Sequence, residues 1–159
     1  KVGKLYASPV DVVLSQVDVV QPDLVFVSND RLHLVTETSI QGAPDLVIEV
    51  LSPSTARLDR DRKKDAYARF GVREYWIADA DTRTLETYRL EDQSFRLTST
   101  SEAPVPSSAL FPDLTFDLQS LLVCSPFHET DSARSNWLRS LRYCNGDLNP
   151  SAEWGAAAL

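Results

Sequence analysis

Residues 43–55 read Ala-Pro-Asp-Leu-Val-Ile-Glu-Val-Leu-Ser-Pro-Ser-Thr, and they indicate a strand followed by a turn and a helix. The segment Asp45–Leu51 is apolar on both faces, which is typical of a strand in the middle of a sheet. The residues after it break the strand. Ser54 or Thr55 can then cap a helix that extends to about Phe70.

The sequence on either side of this unit contains further β-branched and apolar runs. Gly71 supplies the residue type that commonly ends a helix, and a new apolar run begins directly after it. The two most C-terminal runs are separated by Glu91-Asp92-Gln93, which predicts a hairpin. The predicted strands are Val10–Leu14, Leu24–Ser28, Val72–Ala78, Thr84–Leu90 and Ser94–Thr98. This order of elements predicts an α/β fold with a mixed central sheet flanked by helices.

The composition fits one globular domain. Of the 159 residues, 43% are hydrophobic, and the sequence contains no apolar run of the ~20 residues needed to span a bilayer. We therefore expect a cytoplasmic protein without a membrane partner. Packing residues extend through Leu110–Leu122, so we assign residues 1–123 to the domain and residues 124–159 to a C-terminal appendage. Since the sequence begins with Lys1, we expect that N-terminal elements of a longer product are missing.

Lys63 breaks the pattern of the predicted helix. At ~100° per residue it lies at the centre of the face that also holds Asp59, Ala66, Tyr67 and Phe70. One interpretation is purely structural: the aliphatic stem of Lys63 packs on the sheet and the ammonium group pairs with Asp59, one turn back. The other is that this lysine points toward a functional group on the sheet.

Glu49 is the second unusual residue, because it is a carboxylate inside an apolar strand. A buried carboxylate must be paired, protonated or bound to a metal. Lys63 is its nearest partner, and a buried ion pair between the two would satisfy both side chains without any catalytic role. If the strand that follows Asp23 neighbours the strand of Glu49, these two carboxylates can share one cation, and Mg²⁺ is bound in proteins by one or two carboxylates with waters.

Asp45 cannot share that cation with Glu49. Four residues of strand separate the two by ~13 Å, at ~3.3 Å per residue. Asp45 follows Pro44, so we interpret it as a turn or strand-start residue, with a supporting role in the site as the alternative.

Several of these segments together resemble the Uma2 family of restriction endonuclease-like proteins. The resemblance covers roughly Tyr6 to Leu122, and the stretch from Pro44 to Thr55 is its most specific part. The general signature of the superfamily is Pro-Asp, then an acid, any residue and Lys on the next strand. Here Leu51 occupies that lysine position, and the Uma2 family supplies the lysine from the following helix instead. The segments concerned are Gln21-Pro22-Asp23, residues 43–55, Lys63, Tyr67-Ala68-Arg69 and Gly71-Val72-Arg73-Glu74-Tyr75-Trp76.

The resemblance implies a restriction-endonuclease-like three-layer fold and a Mg²⁺- or Mn²⁺-dependent endonuclease that hydrolyses phosphodiester bonds. Asp23 and Glu49 would be the metal ligands. Lys63 would activate the attacking water or stabilise the phosphate, which completes a catalytic set of three residues. Asp45 and Tyr67 would be supporting residues. Nucleic acid, above all DNA, is the implied partner, and enzymes of this fold often act as homodimers.

The charge distribution limits where nucleic acid can bind. A net charge of −7 disfavours non-specific wrapping of nucleic acid, which depends on many Lys and Arg contacts. Residues 57–65, however, hold five basic and three acidic residues, so Arg57, Arg60 and Lys64 are candidate phosphate contacts, although a solvated helix face is the commoner meaning of such a segment. The alternative function is a catalytically inactive remnant of this fold that acts as a binding or assembly module. Glycoside hydrolysis is disfavoured because the sequence offers no aromatic platform for a sugar.

Overall fold

Two β-sheets and one α-helix form the described part of the chain. The computed structural model describes residues 3–51, 58–79, 82–101, 108–111 and 157–158. The elements are β1 (Gly3–Ala7), β2 (Asp11–Val13), β3 (Val19–Val20), β4 (Leu24–Ser28), a 3₁₀ helix (Asn29–Leu34), β5 (Ser39–Gln41), β6 (Leu46–Leu51), α1 (Leu58–Phe70), β7 (Glu74–Asp79), β8 (Thr84–Glu91), β9 (Ser94–Ser101) and β10 (Ala157–Ala158).

The larger sheet is mixed, with the strand order β10-β1-β4-β6-β7-β8-β9 among the described residues. Strands β6 and β7 are parallel, and the other neighbouring pairs in this sheet are antiparallel. A parallel pair requires a crossover connection, and α1 lies within the one that joins β6 to β7. The prediction of an α/β fold with a mixed sheet is confirmed. Most of the described elements, however, are strands, and the flanking helices that the sequence predicts are represented by α1.

Strand β6 lies at the centre of this sheet and is buried on both faces, as its continuous apolar sequence predicts. Val47, which is fully buried, packs on the face that α1 covers, in the same cluster as Tyr67. Leu46 packs on the opposite face, in a cluster with Phe26 and Trp76. Residues with odd numbers in β6 therefore face the helix, because successive side chains of a strand alternate between the two faces.

Helix α1 is mostly polar and is held to the sheet by a few buried residues near its C-terminal end. Tyr67 is 0% exposed and Ala68 is 5% exposed. The helix ends at Gly71, which has a φ of +87°. The backbone N–H of Val72 donates to the carbonyl of Tyr67 at 3.0 Å, which satisfies one of the last carbonyls of the helix. The predicted stop at Gly71 is confirmed, whereas the predicted N-cap at Ser54 or Thr55 lies outside the described residues.

The smaller sheet, with the order β3-β2-β5, and the 3₁₀ helix add to the core on the same side as α1. Val12 of β2 and Ile40 of β5 are fully buried there. The sequence predicts the strand around Val12 but not β5, because three residues are too few for a period-2 pattern.

The predicted hairpin is confirmed as β8 and β9. The two-residue connection Asp92–Gln93 has φ values of 47° and 64°, and positive φ at both central residues is what a type I′ hairpin turn requires. Of the predicted packing segment Leu110–Leu122, the described part is Leu110 and Phe111, which pack on the second face of the sheet. The proposed domain boundary after residue 123 lies outside the described residues. Within the part of the chain that the structure describes, the helices lack the length and apolar character needed to cross a bilayer.

Candidate active site

Glu49 is the centre of the candidate site. It lies in β6, on the sheet face toward α1, and is 6% exposed. Its oxygen Oε1 accepts a hydrogen bond of 2.8 Å from the hydroxyl of Tyr67. The ammonium group of Lys63 lies 3.3 Å from Oε1 and 3.4 Å from Oε2. The structure thus brings the strand carboxylate and the helix lysine into contact, as expected for a buried carboxylate whose nearest partner is Lys63.

Helix α1 delivers both partners of Glu49. Positions four apart lie on the same face of a helix, one turn from each other, so Lys63 and Tyr67 point in the same direction. Because α1 follows β6 in the chain and packs back on it, this direction is toward the odd-numbered residues of β6. Asp59, the alternative partner of Lys63, has no described side chain. The structure pairs Lys63 with Glu49.

Asp23 joins the site from the neighbouring strand. In the antiparallel pairing of β4 and β6, Leu24 is the partner of Ile48, so the next position along places Asp23 opposite Glu49. Directly opposed residues project to the same face of an antiparallel sheet. Asp23 is 0% exposed, and its Oδ2 accepts the backbone N–H of Val50 at 2.9 Å. The expected adjacency of the two strands is therefore present, and it brings the two carboxylates together.

The electrostatics of the site follow from this crowding of charge in a buried place. Burial raises the pKa of Glu49 above its ordinary value, and the negative charge of Asp23 raises it further, while the charge of Lys63 and the hydrogen bond from Tyr67 lower it. Burial also raises the pKa of the Tyr67 hydroxyl, as does the neighbouring charge of Glu49. The phenol therefore remains protonated and is a permanent hydrogen-bond donor to Glu49.

The donor set at this place fits a hard divalent cation. Two carboxylates that face the same side of adjacent strands would supply oxygen ligands of the kind that Mg²⁺ prefers. Among the described residues, no group of three or more His, Cys, Asp or Glu side chains is arranged to hold a metal. Asp23 and Glu49 offer two carboxylates, the number that Mg²⁺ sites in proteins commonly use. They do not resemble a structural zinc site, which has four protein ligands.

Asp45 belongs to a different neighbourhood. Its Oδ1 lies 2.9 Å from the guanidinium of Arg73 and 3.3 Å from that of Arg31. Its Oδ2 accepts the backbone N–H of Ser28 at 2.8 Å. Asp45 directly precedes β6, as the strand-start interpretation predicts, and its described contacts join three segments at that end of the strand.

Of the three candidate phosphate contacts, the structure describes the side chain of Lys64. Lys64 places its ammonium group 3.6 Å from the ring centroid of Tyr88, a cation–π contact with the β8–β9 hairpin. Its described contact is therefore with the hairpin. Arg57 lies outside the described residues, and the side chain of Arg60 is not described.

Glu74 is a buried carboxylate that sequence reasoning missed. It begins β7 and is 4% exposed. On the face of the sheet away from α1, it accepts hydrogen bonds from Trp76 Nε1 at 3.2 Å, Ser108 Oγ at 2.7 Å and the backbone N–H of Ala109 at 2.8 Å. Its neighbour Arg73 was also missed. Both residues lie in the predicted strand Val72–Ala78, but they precede its continuous apolar stretch Tyr75-Trp76-Ile77 and do not interrupt it as Glu49 interrupts its own strand.

Comparisons with known proteins identify a family and a similar fold. A family model named Uma2 and described as "Putative restriction endonuclease" matches residues 1–119. Among solved structures, the chain is similar to a protein described as a putative nuclease from Anabaena variabilis ATCC 29413, with 18% sequence identity and a TM-score of 0.59. The similarity covers 86% of this chain and 70% of the other. No curated protein matches the chain.

Proposed function

Since this chain belongs to the Uma2 family of restriction endonuclease-like proteins, we propose that it is a metal-dependent endonuclease that hydrolyses phosphodiester bonds of nucleic acid. The single observation that carries the proposal is the meeting of Glu49, Lys63 and Asp23 on one face of the sheet. An acid from each of two adjacent strands and a lysine from the following helix form the set of groups that such hydrolysis needs.

Asp23 and Glu49 would hold Mg²⁺ or Mn²⁺. The bound cation would supply Lewis acidity toward a phosphoryl oxygen and a lowered pKa for a coordinated water. The two carboxylates are fixed before substrate arrives, because Asp23 accepts the Val50 N–H and Glu49 accepts the Tyr67 hydroxyl. Ligands held in this way need little rearrangement during the reaction.

Lys63 would orient the attacking water or stabilise the negative charge that develops on the phosphate. Its side chain is 24% exposed, so it lies between the buried carboxylates and the solvent from which substrate comes. A fixed positive charge in a partly desolvated place acts more strongly than the same charge in water. This position supports a role for Lys63 at the reacting phosphate as well as in the ion pair with Glu49.

DNA is the proposed partner. The net charge of −7 supports a local contact around α1 and the ends of β4 and β6 more than an extended basic groove. We also propose a homodimer, because enzymes of this fold often cut two strands with two copies.

The test is cleavage of a DNA and an RNA substrate by the purified protein in Mg²⁺ and in EDTA. We expect cleavage in Mg²⁺ and none in EDTA. The cleavage rate should fall by about 100-fold or more in Glu49→Gln and in Lys63→Ala. Arg62→Ala is the matched control, because Arg62 is an exposed neighbour on the same helix. Equal cleavage by the native protein and both site variants would contradict the proposed site. Absence of Mg²⁺-dependent cleavage by the native protein would favour a non-catalytic binding module.

A further inference from the structure

Among the described residues, Tyr67 and Lys63 contact the carboxylate of Glu49, and these contacts differ in quality. The Tyr67 hydroxyl lies 2.8 Å from Oε1, which is the usual distance for a well-formed O–H···O hydrogen bond. The Lys63 ammonium lies 3.3 Å and 3.4 Å from the two oxygens, beyond the ~2.7 to 2.9 Å of strong charge-assisted bonds. The neutral phenol is therefore the partner that defines where the carboxylate of Glu49 lies.

The phenol of Tyr67 is itself held in place by aromatic packing. Its ring is 0% exposed and lies 5.3 Å from the ring of Tyr75, measured between centroids. Tyr75 in turn packs against Tyr88 at 6.2 Å and Phe95 at 5.6 Å. A tyrosine ring has two side-chain torsions, and packing on this scale fixes both, so the hydroxyl oxygen occupies one position relative to the sheet.

The carboxylate of Glu49 needs such an external constraint. The strand fixes the backbone of Glu49, but the terminal torsion of a glutamate is broad and roughly two-fold, so the plane of the carboxylate is not set by rotamer preference. A hydrogen bond to one oxygen removes this freedom. Lys63, with a partly exposed and flexible side chain, constrains the plane less well than the buried phenol does.

We propose that Tyr67 is a positioning residue, which orients the Glu49 carboxylate through the hydrogen bond to Oε1 so that Glu49 can bind a divalent cation together with Asp23. This inference rests on the proposed function, because it assumes the two-carboxylate site. It assigns Tyr67 no contact with substrate. Partners of metal ligands typically contribute 10- to 100-fold to metal affinity or activity, so the effect is measurable by cation binding alone.

The experiment is calorimetric titration of the protein with Mn²⁺. Tyr67→Phe removes one hydroxyl and keeps the ring, and we expect it to weaken Mn²⁺ binding by about 10- to 100-fold. Tyr88→Phe is the matched control, because it removes a hydroxyl that donates to Glu86 instead of Glu49. Circular dichroism and thermal unfolding establish that each variant is folded. Should Tyr67→Phe fail to fold, Tyr67→4-aminophenylalanine keeps the ring and an N–H donor, and it should bind Mn²⁺ within a few-fold of the native protein.

A second measurement links the effect to Glu49. In a double-mutant cycle, Tyr67→Phe should cause no further loss of Mn²⁺ affinity when Glu49→Gln is already present, because the hydroxyl acts through that carboxylate. Native affinity in Tyr67→Phe, equal losses in Tyr67→Phe and Tyr88→Phe, or a large loss in the 4-aminophenylalanine variant would overturn the inference while the proposed function stands. Absence of saturable Mn²⁺ binding by the native protein would instead overturn the proposed metal site, and this inference with it.

Discussion

Asp23 directly precedes β4, and extending the antiparallel pairing of Leu24 with Ile48 by one position places Asp23 opposite Glu49 of β6. Both are almost fully buried, and the charge of Asp23 raises the pKa of Glu49. Two carboxylates in this position repel each other in a place with little water. A divalent cation would relieve this repulsion, which is the physical reason for treating the pair as a metal site.

Asp23→Asn should abolish most cation binding without unfolding the protein. The amide oxygen of asparagine can still accept the Val50 N–H, but the charge is lost. We expect Mn²⁺ affinity measured by calorimetry to fall by at least the ~10-fold that loss of an outer partner costs. Asp45→Asn is the matched control, because Asp45 is also 0% exposed and also binds a backbone N–H. Equal Mn²⁺ affinities in the two variants would contradict a role for Asp23 as a ligand.

The burial of Glu49 predicts a pH dependence of stability in EDTA. Because the folded-state pKa of Glu49 is raised from 4.5, the native state binds more protons than the unfolded state between these two pKa values. The contribution of Glu49 to the free energy of unfolding is therefore largest at low pH, and it falls as the pH rises through that window. Glu49→Gln should lack this part of the decline. Urea unfolding from acid to neutral pH measures it, and identical pH profiles of the two proteins would refute the expectation.

We expect Glu74 to stabilise the fold, because its hydrogen bonds attach residues 108–111 to the sheet. Glu74→Ala leaves the donors of Trp76 and Ser108 without this acceptor, along with the N–H of Ala109. We expect a loss of about 1 to 3 kcal/mol in the free energy of unfolding, the cost of removing the acceptor of a buried donor such as Ser108. Urea denaturation and amide exchange at Ala109 report the change.

The control for Glu74 is Glu91→Ala. Glu91 pairs with Arg96 at 3.3 Å on the exposed hairpin, and exposed ion pairs contribute at most about 1 kcal/mol. A similar small loss in both variants would show that the buried contacts of Glu74 carry no special weight.

Gly71 should be sensitive to substitution because of its backbone conformation alone. Its φ is +87°, and a Cβ at this position would meet no atom within 4 Å. Gly71→Ala should therefore destabilise the protein by about 1 to 2 kcal/mol through left-handed backbone strain. Gly71→Asn should cost less, because asparagine adopts this conformation more readily. Thermal unfolding of both variants checks the order, and an alanine variant as stable as the native protein would contradict it.

The two most informative site residues could be predicted from the sequence because each breaks a local pattern. Glu49 is a charge inside an apolar strand, and Lys63 is a charge on the apolar face of a helix. Asp23 was predictable only on the condition that β4 neighbours β6. Tyr67 was implied by family resemblance, but its hydrogen bond to Glu49 has no signature in the sequence, because a tyrosine on a buried helix face is ordinary. Glu74 lies at a strand start, where a charged residue is unremarkable.

The sequence by itself determined the local elements around the site: the buried strand β6, the polar helix that follows it, its stop at Gly71 and the β8–β9 hairpin. These depend on residue types within a few positions of each other. Only the tertiary structure decided that Asp23 lies opposite Glu49, that Asp45 pairs with two arginines at the other end of β6, and that Tyr67 donates to Glu49. Strand order and register join segments that are far apart in the chain, and a shift of one residue in the pairing of β4 with β6 would turn Asp23 away from the face that carries Glu49.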